Sequence, residues 1–241
     1  MPKQRLDNLL VTRGLAENKS KARALIMAGE VTISGKVSTK PGRLVDENAN
    51  LDIAEKLPYV SRGGIKLAHA LDGFKLDVSS LIAMDVGAST GGFTDCLLQR
   101  GAKRVYAIDV GYGQLDYRLR QDPRVVVMEK INAHYPFPLP EKVNIATIDL
   151  SFISVTKVIP NIIEHLQKRG CIIILLKPQF EAERKEVGRG GIVKDPQVHA
   201  RVLGRFIGWA IGNGLRLSGL TASPILGAEG NKEFLILLTP S

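Results

Sequence analysis

Two side chains of opposite charge stand at the ends of apolar segments, where they could act together on a bound molecule. Asp149 ends the segment VNIATIDL, and Lys177 ends the segment CIIILLK; both segments are typical of strands buried on both faces. Pro178 stops the second segment and favours an extended backbone at Lys177, so that the ammonium projects at the edge of the sheet. Such a pair could act on a ligand bound at this edge of the sheet, and a purely structural ion pair is the alternative.

A glycine-rich segment, MDVGASTGGF, joins another apolar strand to the start of a helix. Its small residues allow a ligand to approach the backbone closely at the carboxyl end of that strand. The segment does not match the nicotinamide fingerprint, because Ser89 stands where the second glycine counted from Gly87 would be. Asp109 ends the next strand, 22 residues after Gly87, and is placed to accept hydrogen bonds from ribose hydroxyls. Tight packing of a strand against a helix is the other interpretation of the glycines.

The pattern D-x-G-A-x-x-G-G-F in this segment resembles the first motif of class I methyltransferases. That resemblance implies S-adenosylmethionine as the cofactor and S-adenosylhomocysteine as its product. Glu129 and Asn132 follow the third strand, where this family holds polar contacts to adenine, although both could be ordinary loop residues. The predicted cofactor-binding residues are Asp85, Gly87, Ala88, Ser89, Gly91, Gly92, Phe93, Asp109, Val110, Glu129 and Asn132.

The elements that must position these residues alternate between strands and helices from residue 62 onward. The segments predicted to be buried strands are LIAMDVG, RVYAIDV, RVVVME, VNIATIDL and CIIILLK. The segments predicted to be helices are RGGIKLAHALDGF, GGFTDCLLQRG, SVTKVIPNIIEHLQKRG and DPQVHARVLGRFIGWAIGNG. This alternation predicts an α/β domain with a largely parallel, doubly wound sheet.

A smaller α+β module precedes that domain. The segment RLDNLLVTRG predicts a short amphipathic helix that ends at Gly14, and a second helix begins after Asn18 and ends at Gly29. A turn at Ser34 and Gly35 predicts a hairpin, and LVDENANLDI adds one or two short strands. We expect residues 1–59 to form this module with its linker and residues 60–241 to form the α/β domain.

The small module resembles the S4-type RNA-binding domain, in which an R-L-D opening, an S-(K/R)-x-x-A helix and a V-x-(V/I)-N-G turn recur. The chain has RLD, SKARA and VTISG at these places, with Ser34 instead of the usual asparagine. The resemblance implies that cations of the two helices bind the phosphates of structured RNA, whereas the cations alone could equally be a solvated helix face. The predicted RNA-binding residues are Arg5, Arg13, Lys19, Lys21 and Arg23.

Lys66 and Glu233 complete a second resemblance. The motifs SR-x-x-x-KL, D-L-S-F, L-L-K-P-Q-F and G-N-K-E-F occur in the order of the K-D-K-E tetrad of FtsJ-type 2′-O-ribose methyltransferases. Together with the S4-type module, they make the chain similar to the TlyA family, ribosomal RNA 2′-O-methyltransferases that are also called haemolysins. The resemblance implies methylation of a ribose 2′-oxygen in ribosomal RNA or ribosomal subunits. The implied catalytic residues are Lys66, Asp149, Lys177 and Glu233.

Methylation of a ribose hydroxyl needs alignment and a base, and requires no metal. We expect Lys177 to contact the 2′-oxygen, either as the base or as an electrostatic stabiliser, with Asp149 orienting Lys177. Glu233 would orient Lys66 or the hydroxyl. Because Glu233 begins its strand whereas Asp149 and Lys177 end theirs, these groups can meet only if the last strand runs antiparallel. The class I methyltransferase fold, which is Rossmann-like with a reversed last strand, supplies that arrangement.

Composition and charge limit the function classes. The net charge is +9, and residues 1–43 contain nine Lys or Arg against three acids, which favours a polyanionic partner. Cys96 and Cys171 lie far apart without a CxxC motif, so neither a disulfide framework nor a metal site is expected. The sequence contains no apolar stretch of signal-peptide or membrane-spanning length. We therefore predict a cytoplasmic protein without a metal and without transmembrane association.

Three other functions compete with ribose methylation. A membrane-active haemolysin is suggested only by the family label, and a noncatalytic RNA-binding ribosome factor would keep RNA affinity without methyl transfer. Base methylation is disfavoured, because the usual N-P-P-(Y/F) motif is replaced by the residues Asp149 to Phe152.

Two further features have plainer interpretations. Residues 188–196, GRGGIVKDP, could close over RNA phosphates or could be a flexible surface connection. The histidines show no spacing typical of metal ligands, and we expect them to be packing or surface residues. They are His69, His134, His165 and His199.

Overall fold

The structure of the protein is a computed structural model that describes residues 3–27, 31–53, 57–227 and 230–241. The chain divides into two compact units, Met1–Leu57 and Pro58–Ser241, which we describe separately. The predicted end of the second helix at Gly29 and residues 54–56 of the expected linker lie outside the described residues.

The first unit combines two helices with short antiparallel strands. These are β1 (Lys3–Arg5), α1 (Leu6–Thr12), α2 (Lys19–Met27), β2 (Val31–Ile33), β3 (Lys36–Val37), β4 (Leu44–Asp46) and β5 (Leu51–Ile53). β1 pairs with β4, and β2 lies between β3 and β5. Leu6, Leu10 and Ile26 are fully buried between the elements, so the helices bury the apolar face that their spacing predicts. Ser34 and Gly35 both have positive φ, as a two-residue hairpin turn of type I′ requires.

The second unit is built around a seven-stranded sheet. Its strands are β6 (Ile82–Val86), β7 (Arg104–Asp109), β8 (Val125–Glu129), β9 (Val143–Ile148), β10 (Leu166–Leu176), β11 (Leu215–Ala222) and β12 (Phe234–Pro240). Their order in the sheet is β11-β12-β10-β9-β6-β7-β8. The accompanying helices are α3 (Arg62–Phe74), α4 (Gly92–Gln99), α5 (Tyr117–Gln121), α6 (Ile159–Ile163), α7 (Pro178–Glu181) and α8 (Pro196–Gly212). No helix within the described ranges is long and apolar enough to cross a membrane.

Both faces of the sheet are covered by apolar side chains. Along β10, Ile172 and Ile174 belong to one core, whereas Ile173 and Leu175 belong to the core on the opposite face. This alternation follows from the two-residue period of a strand. It explains why the central strands are continuous apolar runs in the sequence, as is usual for parallel strands buried on both faces.

The last strand runs in the reverse direction, which confirms the predicted fold. β12 pairs antiparallel with β10 and with β11, while β6, β7, β8, β9 and β10 pair in parallel. The final pair of the β10–β12 register is Leu176 opposite Phe234. The next residues in that register are Lys177 and Glu233, so the reversed strand brings these two residues to the same edge of the sheet.

The prediction of one continuous helix over residues 154–170 is wrong. The structure has a single 3-10 turn at Val155–Lys157 and the short helix α6, and Leu166 already pairs with Val143 in β10. Val143 donates its backbone N–H to the carbonyl of His165, and Leu166 is buried in the core. Sheet pairing and burial of Leu166 therefore override the helical propensity of the polar stretch LQKRG.

Candidate active site

A cavity of about 500 Å³ opens at the carboxyl ends of β6, β7 and β9. Cavities of a few hundred Å³ at this edge of an α/β sheet are usual sites for small ligands. The cavity is lined by five of the predicted cofactor-binding residues: Gly87, Ser89, Asp109, Val110 and Asn132. Other lining residues include Gln114, Ile131, Ala133, His134, Asp149, Leu150, Ser151, Phe152 and Ile153.

The carboxylate of Asp109 is fixed at the end of β7 by backbone donors. Its Oδ2 accepts a hydrogen bond from the N–H of Ser89 at 2.8 Å, and its Oδ1 accepts one from the N–H of Gly111 at 2.6 Å. A carboxylate has about four acceptor positions, so each oxygen can accept one more hydrogen bond. Asp109 is therefore able to bind a vicinal diol, such as the two hydroxyls of a ribose, in the cavity wall.

Gly87 is required by the path of the backbone. Its φ is +84°, and a Cβ atom at this position would lie 2.3 Å from the carbonyl oxygen of Asp149. Asp149 in turn donates its backbone N–H to the carbonyl of Val86 at 3.0 Å. The glycine thus lets the end of β9, with Asp149, pass directly beside the glycine-rich turn.

Six of the predicted cofactor-binding residues do not line the cavity. Ala88 and Phe93 are buried in the core, and a Cβ on Gly92 would lie 2.2 Å from Ser61 Oγ. Glu129 accepts a hydrogen bond from the N–H of Gly113 at 2.8 Å and is paired with Arg120. These residues therefore pack or bond within the protein and do not face the cavity. The six residues are Asp85, Ala88, Gly91, Gly92, Phe93 and Glu129.

Asp85 is fully buried and does not reach the cavity. Its two carboxylate oxygens accept hydrogen bonds from Thr94 Oγ1 at 2.7 Å and from Thr147 Oγ1 at 3.0 Å. Thr94 lies on α4 and Thr147 on β9, so Asp85 joins the glycine-rich turn to both elements. Burial, together with the negative charge of Asp149, raises the pKa of Asp85 to about 7.

We expect Asp85→Asn to remove a pH dependence of stability. The native pKa of about 7 lies above the ordinary value of about 3.9, so the folded chain keeps a proton that the unfolded chain releases between these pH values. This contribution to the free energy of unfolding is full below about pH 4 and is lost as the pH rises to about 7. The asparagine variant should therefore exceed the wild type in stability at pH 8 by on the order of 3 kcal/mol, and much less at pH 5.

Urea denaturation at pH 5 and pH 8 measures this difference. Asp77→Asn is the matched control, because Asp77 is an exposed loop carboxylate that accepts a hydrogen bond from the backbone of Ser79. An Asp85→Asn variant with the same slope of stability against pH as the wild type would contradict the prediction.

The four predicted catalytic side chains form two ion pairs at the carboxyl edge of the sheet. Lys66 Nζ lies 2.5 Å from Glu233 Oε2, with the two side chains 9% and 3% exposed. Lys177 Nζ lies 2.7 Å from Asp149 Oδ1, with the side chains 13% and 24% exposed. The Lys66–Glu233 pair is therefore almost fully buried, whereas the Lys177–Asp149 pair is partly exposed beside the cavity that Asp149 lines.

Ser151 is a further polar group of this site that the sequence interpretation passed over. Its Oγ accepts a hydrogen bond from Lys177 Nζ at 3.0 Å, and it lines the cavity. The register of β9 and β10, in which Ile148 lies opposite Ile174, puts Ser151 level with Lys177. The only sequence signal was its place in the motif D-L-S-F, which does not specify a contact.

Phe152 is exposed at the mouth of the cavity. Its side chain is 91% exposed, its φ is +67°, and its ring centroid lies 5.2 Å from that of Phe180. A bulky residue in the left-handed region is strained, and such strain is found most often at functional sites. His134 also lines the cavity, although we expected the histidines to be packing or surface residues.

The predicted RNA-binding cations have different environments. Asp7 is fully buried and accepts hydrogen bonds from Arg5 Nε at 3.0 Å and from Arg23 Nε at 3.1 Å, which orients both guanidinium groups. These two cations hold the pKa of Asp7 well below its usual range. Arg13 instead donates to the backbone carbonyls of Ala49 and Glu47, which ties α1 to the loop after β4.

The two remaining cations, Lys19 and Lys21, are exposed on α2, and Lys21 lies 3.2 Å from Glu17. An exposed pair of this kind contributes little to stability, so both lysines stay available to a partner. Arg5, Arg23, Lys19 and Lys21 are therefore better candidates for phosphate binding than Arg13.

Comparisons with known proteins agree with this geometry. Residues 59–239 match the model of the FtsJ-like methyltransferase family, and residues 4–51 match the S4 domain. The chain is 50% identical to the YqxC protein of Bacillus subtilis, over 98% of this chain and 85% of that protein. It is 43% identical to the 16S/23S rRNA (cytidine-2′-O)-methyltransferase TlyA of Mycobacterium tuberculosis, over 97% of this chain and 89% of that protein.

Solved structures show the same fold. A haemolysin-named protein of Streptococcus thermophilus matches with a TM-score of 0.77 and 44% identity, over 100% of this chain and 90% of that one. An S-adenosylmethionine-dependent methyltransferase of Mesorhizobium loti shares the fold at 14% identity, with a TM-score of 0.54 over 72% of this chain and 96% of that one. The chain therefore belongs to the TlyA family of FtsJ-like methyltransferases and has an S4 domain ahead of its methyltransferase domain.

Proposed function

We propose that this protein transfers a methyl group from S-adenosylmethionine to the 2′-hydroxyl of a cytidine in ribosomal RNA. The observation that carries the proposal is the Lys177–Asp149 ion pair at a cavity that Asp149 lines, together with the Lys66–Glu233 ion pair at the same edge of the sheet. The relative from Mycobacterium tuberculosis, whose name specifies ribosomal RNA cytidine and the 2′-oxygen, supports the choice of substrate.

The cavity fits the proposed cofactor in size and in chemistry. Its volume of about 500 Å³ suits a nucleoside with a short side chain, and Asp109 offers acceptors for a ribose diol. Apolar side chains such as Ile131 and Leu150 line the same cavity and can pack against a purine. When bound, S-adenosylmethionine supplies a methyl group that is already activated on a sulfonium sulfur.

The residues of the protein then have to hold and deprotonate the hydroxyl. Lys177 has three N–H donors, of which one reaches Ser151 and one faces Asp149, so the third is free for the 2′-oxygen. Lys177 either takes up the hydroxyl proton or stabilises the charge left on the oxygen when that proton leaves. A pH–rate profile separates the two roles, because a base acts as the free amine and gives a rate that rises with pH, whereas a stabiliser acts as the ammonium and gives a rate that falls as the pH rises.

Phe152 offers a surface for the base of the target nucleotide. Sequence-specific recognition of RNA uses unstacked bases that lie on aromatic side chains, and Phe152 is an exposed aromatic ring at the mouth of the cavity. A nucleotide whose base leaves the helical stack when its ribose binds beside Lys177 loses stacking energy. The exposed ring would compensate for part of the stacking that is lost.

RNA affinity should depend on the exposed Lys19 and Lys21 and not on Arg13. We expect the double variant Lys19→Gln/Lys21→Gln, which leaves the buried Asp7 with its two arginines, to weaken RNA binding and to reduce the slope of log affinity against log salt by about 2, one for each lost phosphate contact. Arg13→Gln should keep the salt slope and lower the stability of the S4 unit, because its donors are already used by backbone carbonyls. Filter binding of ribosomal RNA at several salt concentrations measures the slopes, and an equal loss in both variants would contradict the assignment.

The decisive experiment is methyl transfer from radioactive S-adenosylmethionine to separated small and large ribosomal subunits, followed by mapping of the modified nucleotide. The expected result is label on the ribose of a cytidine. RNA binding without transfer would instead identify a noncatalytic ribosome factor, and label on a base would refute ribose methylation. Leakage of liposomes caused by the pure protein, and retained in Lys177→Ala, would support a membrane-active haemolysin.

A further inference from the structure

One buried residue, Asn231, joins three segments next to the Lys66–Glu233 ion pair, through its side-chain amide and its backbone carbonyl. Asn231 is 2% exposed, and its Oδ1 accepts a hydrogen bond from the N–H of Val193 at 2.9 Å. Its Nδ2 donates to the carbonyl of Gly191 at 2.9 Å, and its own carbonyl accepts from the N–H of Gly227, also at 2.9 Å. Three polar groups of this residue, Oδ1, Nδ2 and the backbone carbonyl, therefore bond to other segments.

The hydrogen bond between the N–H of Gly227 and the backbone carbonyl of Asn231 lies next to Glu233, one partner of the ion pair. A Cβ atom on Gly227 would lie 2.1 Å from Glu233 Oε1, so the backbone of Gly227 is pressed against the carboxylate. This contact covers Glu233 from one side, and Glu233 is accordingly only 3% exposed. Because the backbone carbonyl of Asn231 accepts the hydrogen bond from Gly227, it keeps Gly227 in contact with the carboxylate of Glu233.

The bonds to Gly191 and Val193 fix the segment 188–193 beside the start of β12. Val193 is 2% exposed, and its carbonyl is bonded to Nε2 of the buried His199 at 3.0 Å. The ring of His199 packs edge-on against Phe234, the residue after Glu233, with a centroid distance of 5.7 Å. Residues 191–193 are therefore bonded both to His199 of α8 and to Asn231, which precedes β12. They are not a loosely attached surface connection.

We propose that Asn231 is a positioning residue for methyl transfer, which keeps the Lys66–Glu233 ion pair dry and aligned by holding Gly227 and the segment 188–193 around it. The inference rests on the proposed function. A buried ion pair depends on exact geometry and on the exclusion of water, because both ions have given up their hydration. Without the side-chain amide, Asn231 loses its bonds to Gly191 and Val193, so its backbone, whose carbonyl holds Gly227 against Glu233, is no longer fixed in place. We expect water then to reach the ion pair and Lys66 to lose its single position.

The test compares Asn231→Ala with Asn144→Ala in the whole chain. Asn144 is a matched control at the opposite edge of the sheet, where its amide also joins two segments, by accepting from the N–H of Ile82 at 2.9 Å and donating to Gln167 Oε1 at 2.8 Å. We expect Asn231→Ala to lower kcat at least tenfold while KM for the cofactor stays within twofold. Asn144→Ala should lose thermal stability but keep kcat within twofold.

A double variant tests whether Asn231 acts through Gly227. If both residues act on Glu233 through the same turn, Asn231→Ala/Gly227→Ala should be no slower than the slower single variant. Additive losses, or an Asn231→Ala variant with wild-type kcat, would overturn the proposal. A loss of kcat in Asn144→Ala as large as in Asn231→Ala would also overturn it, because general destabilisation would then explain both.

Hydrogen exchange separates this inference from the proposed function. We expect Asn231→Ala to speed exchange of the backbone amides at 191–193 and at 233–236, and Asn144→Ala to leave them unchanged. If the wild type methylates no ribosomal RNA, the proposed function fails, and the exchange result still decides whether Asn231 organises the surroundings of Glu233. Unchanged exchange at 233–236 in Asn231→Ala would refute that role.

Discussion

Lys177→Met is expected to lower the rate of methyl transfer about a thousandfold while the cofactor still binds. A thousandfold loss corresponds to about 4 kcal/mol of transition-state stabilisation, which is typical for a group that moves a proton or holds charge at the reacting atom. Methionine keeps the length and apolar stem of the side chain, which is only 13% exposed, so packing at the end of β10 should survive. Asp149 and Ser151 lose their cationic partner but remain in place.

Single-turnover transfer from labelled cofactor measures the rate, and calorimetry measures cofactor binding. Lys168→Met is the matched control, because Lys168 lies on the same strand but near its opposite end and is exposed. Lys177→Arg should not restore the rate, since a planar guanidinium cannot replace a compact ammonium between Asp149 and the substrate. A Lys177→Met variant that keeps a tenth of the wild-type rate would rule out the assigned role.

The second large effect concerns the sealed pair of Lys66 and Glu233. Removing one partner leaves the other charge buried without compensation, so we expect Lys66→Met alone, or Glu233→Met alone, to lose about 3–5 kcal/mol of stability. The double variant Lys66→Met/Glu233→Met leaves no uncompensated charge, and its free energy of unfolding should return close to that of the wild type. Methyl transfer should remain lost in all three variants.

Urea denaturation and methyl transfer, measured on the same three proteins, separate the structural and catalytic contributions of the pair. An exposed pair, Lys21→Met with Glu17→Met, is the control for charge removal, because such pairs contribute little to stability. If the stable double variant regained transfer, the Lys66–Glu233 pair would be only structural.

The fold could be predicted largely from the sequence, because the decisive patterns are local. Apolar runs ending in Asp149 and Lys177 marked parallel strands, and Glu233 at the start of its strand required a reversed neighbour. The failures have tertiary causes. The stretch LQKRG joins a strand because Leu166 finds a place in the core, and β1 forms from the polar residues KQR because β4 offers a free edge.

The candidate site was predictable in its residue types but not in its pairings. The motifs predicted that Asp85 and Arg13 bind ligands. In the structure, Asp85 is buried and accepts hydrogen bonds from two threonines, and Arg13 donates to backbone carbonyls. A partner that comes from a distant segment leaves no periodic signal along the chain. The hydrogen bonds of Asn231 could not be predicted for the same reason, since its partners at 191 and 193 lie about forty residues away.

The sealed ion pair joins positions that are 167 residues apart in the chain. During translation, α3 with Lys66 leaves the ribosome long before the residues that supply Glu233 and the reversed strand β12. Because contacts of such long sequence separation form late, a nascent chain can fold much of its sheet and still lack a complete site. Because synthesis proceeds from the amino end, a protein of this architecture acquires its activity only after β12 has been made and inserted into the sheet.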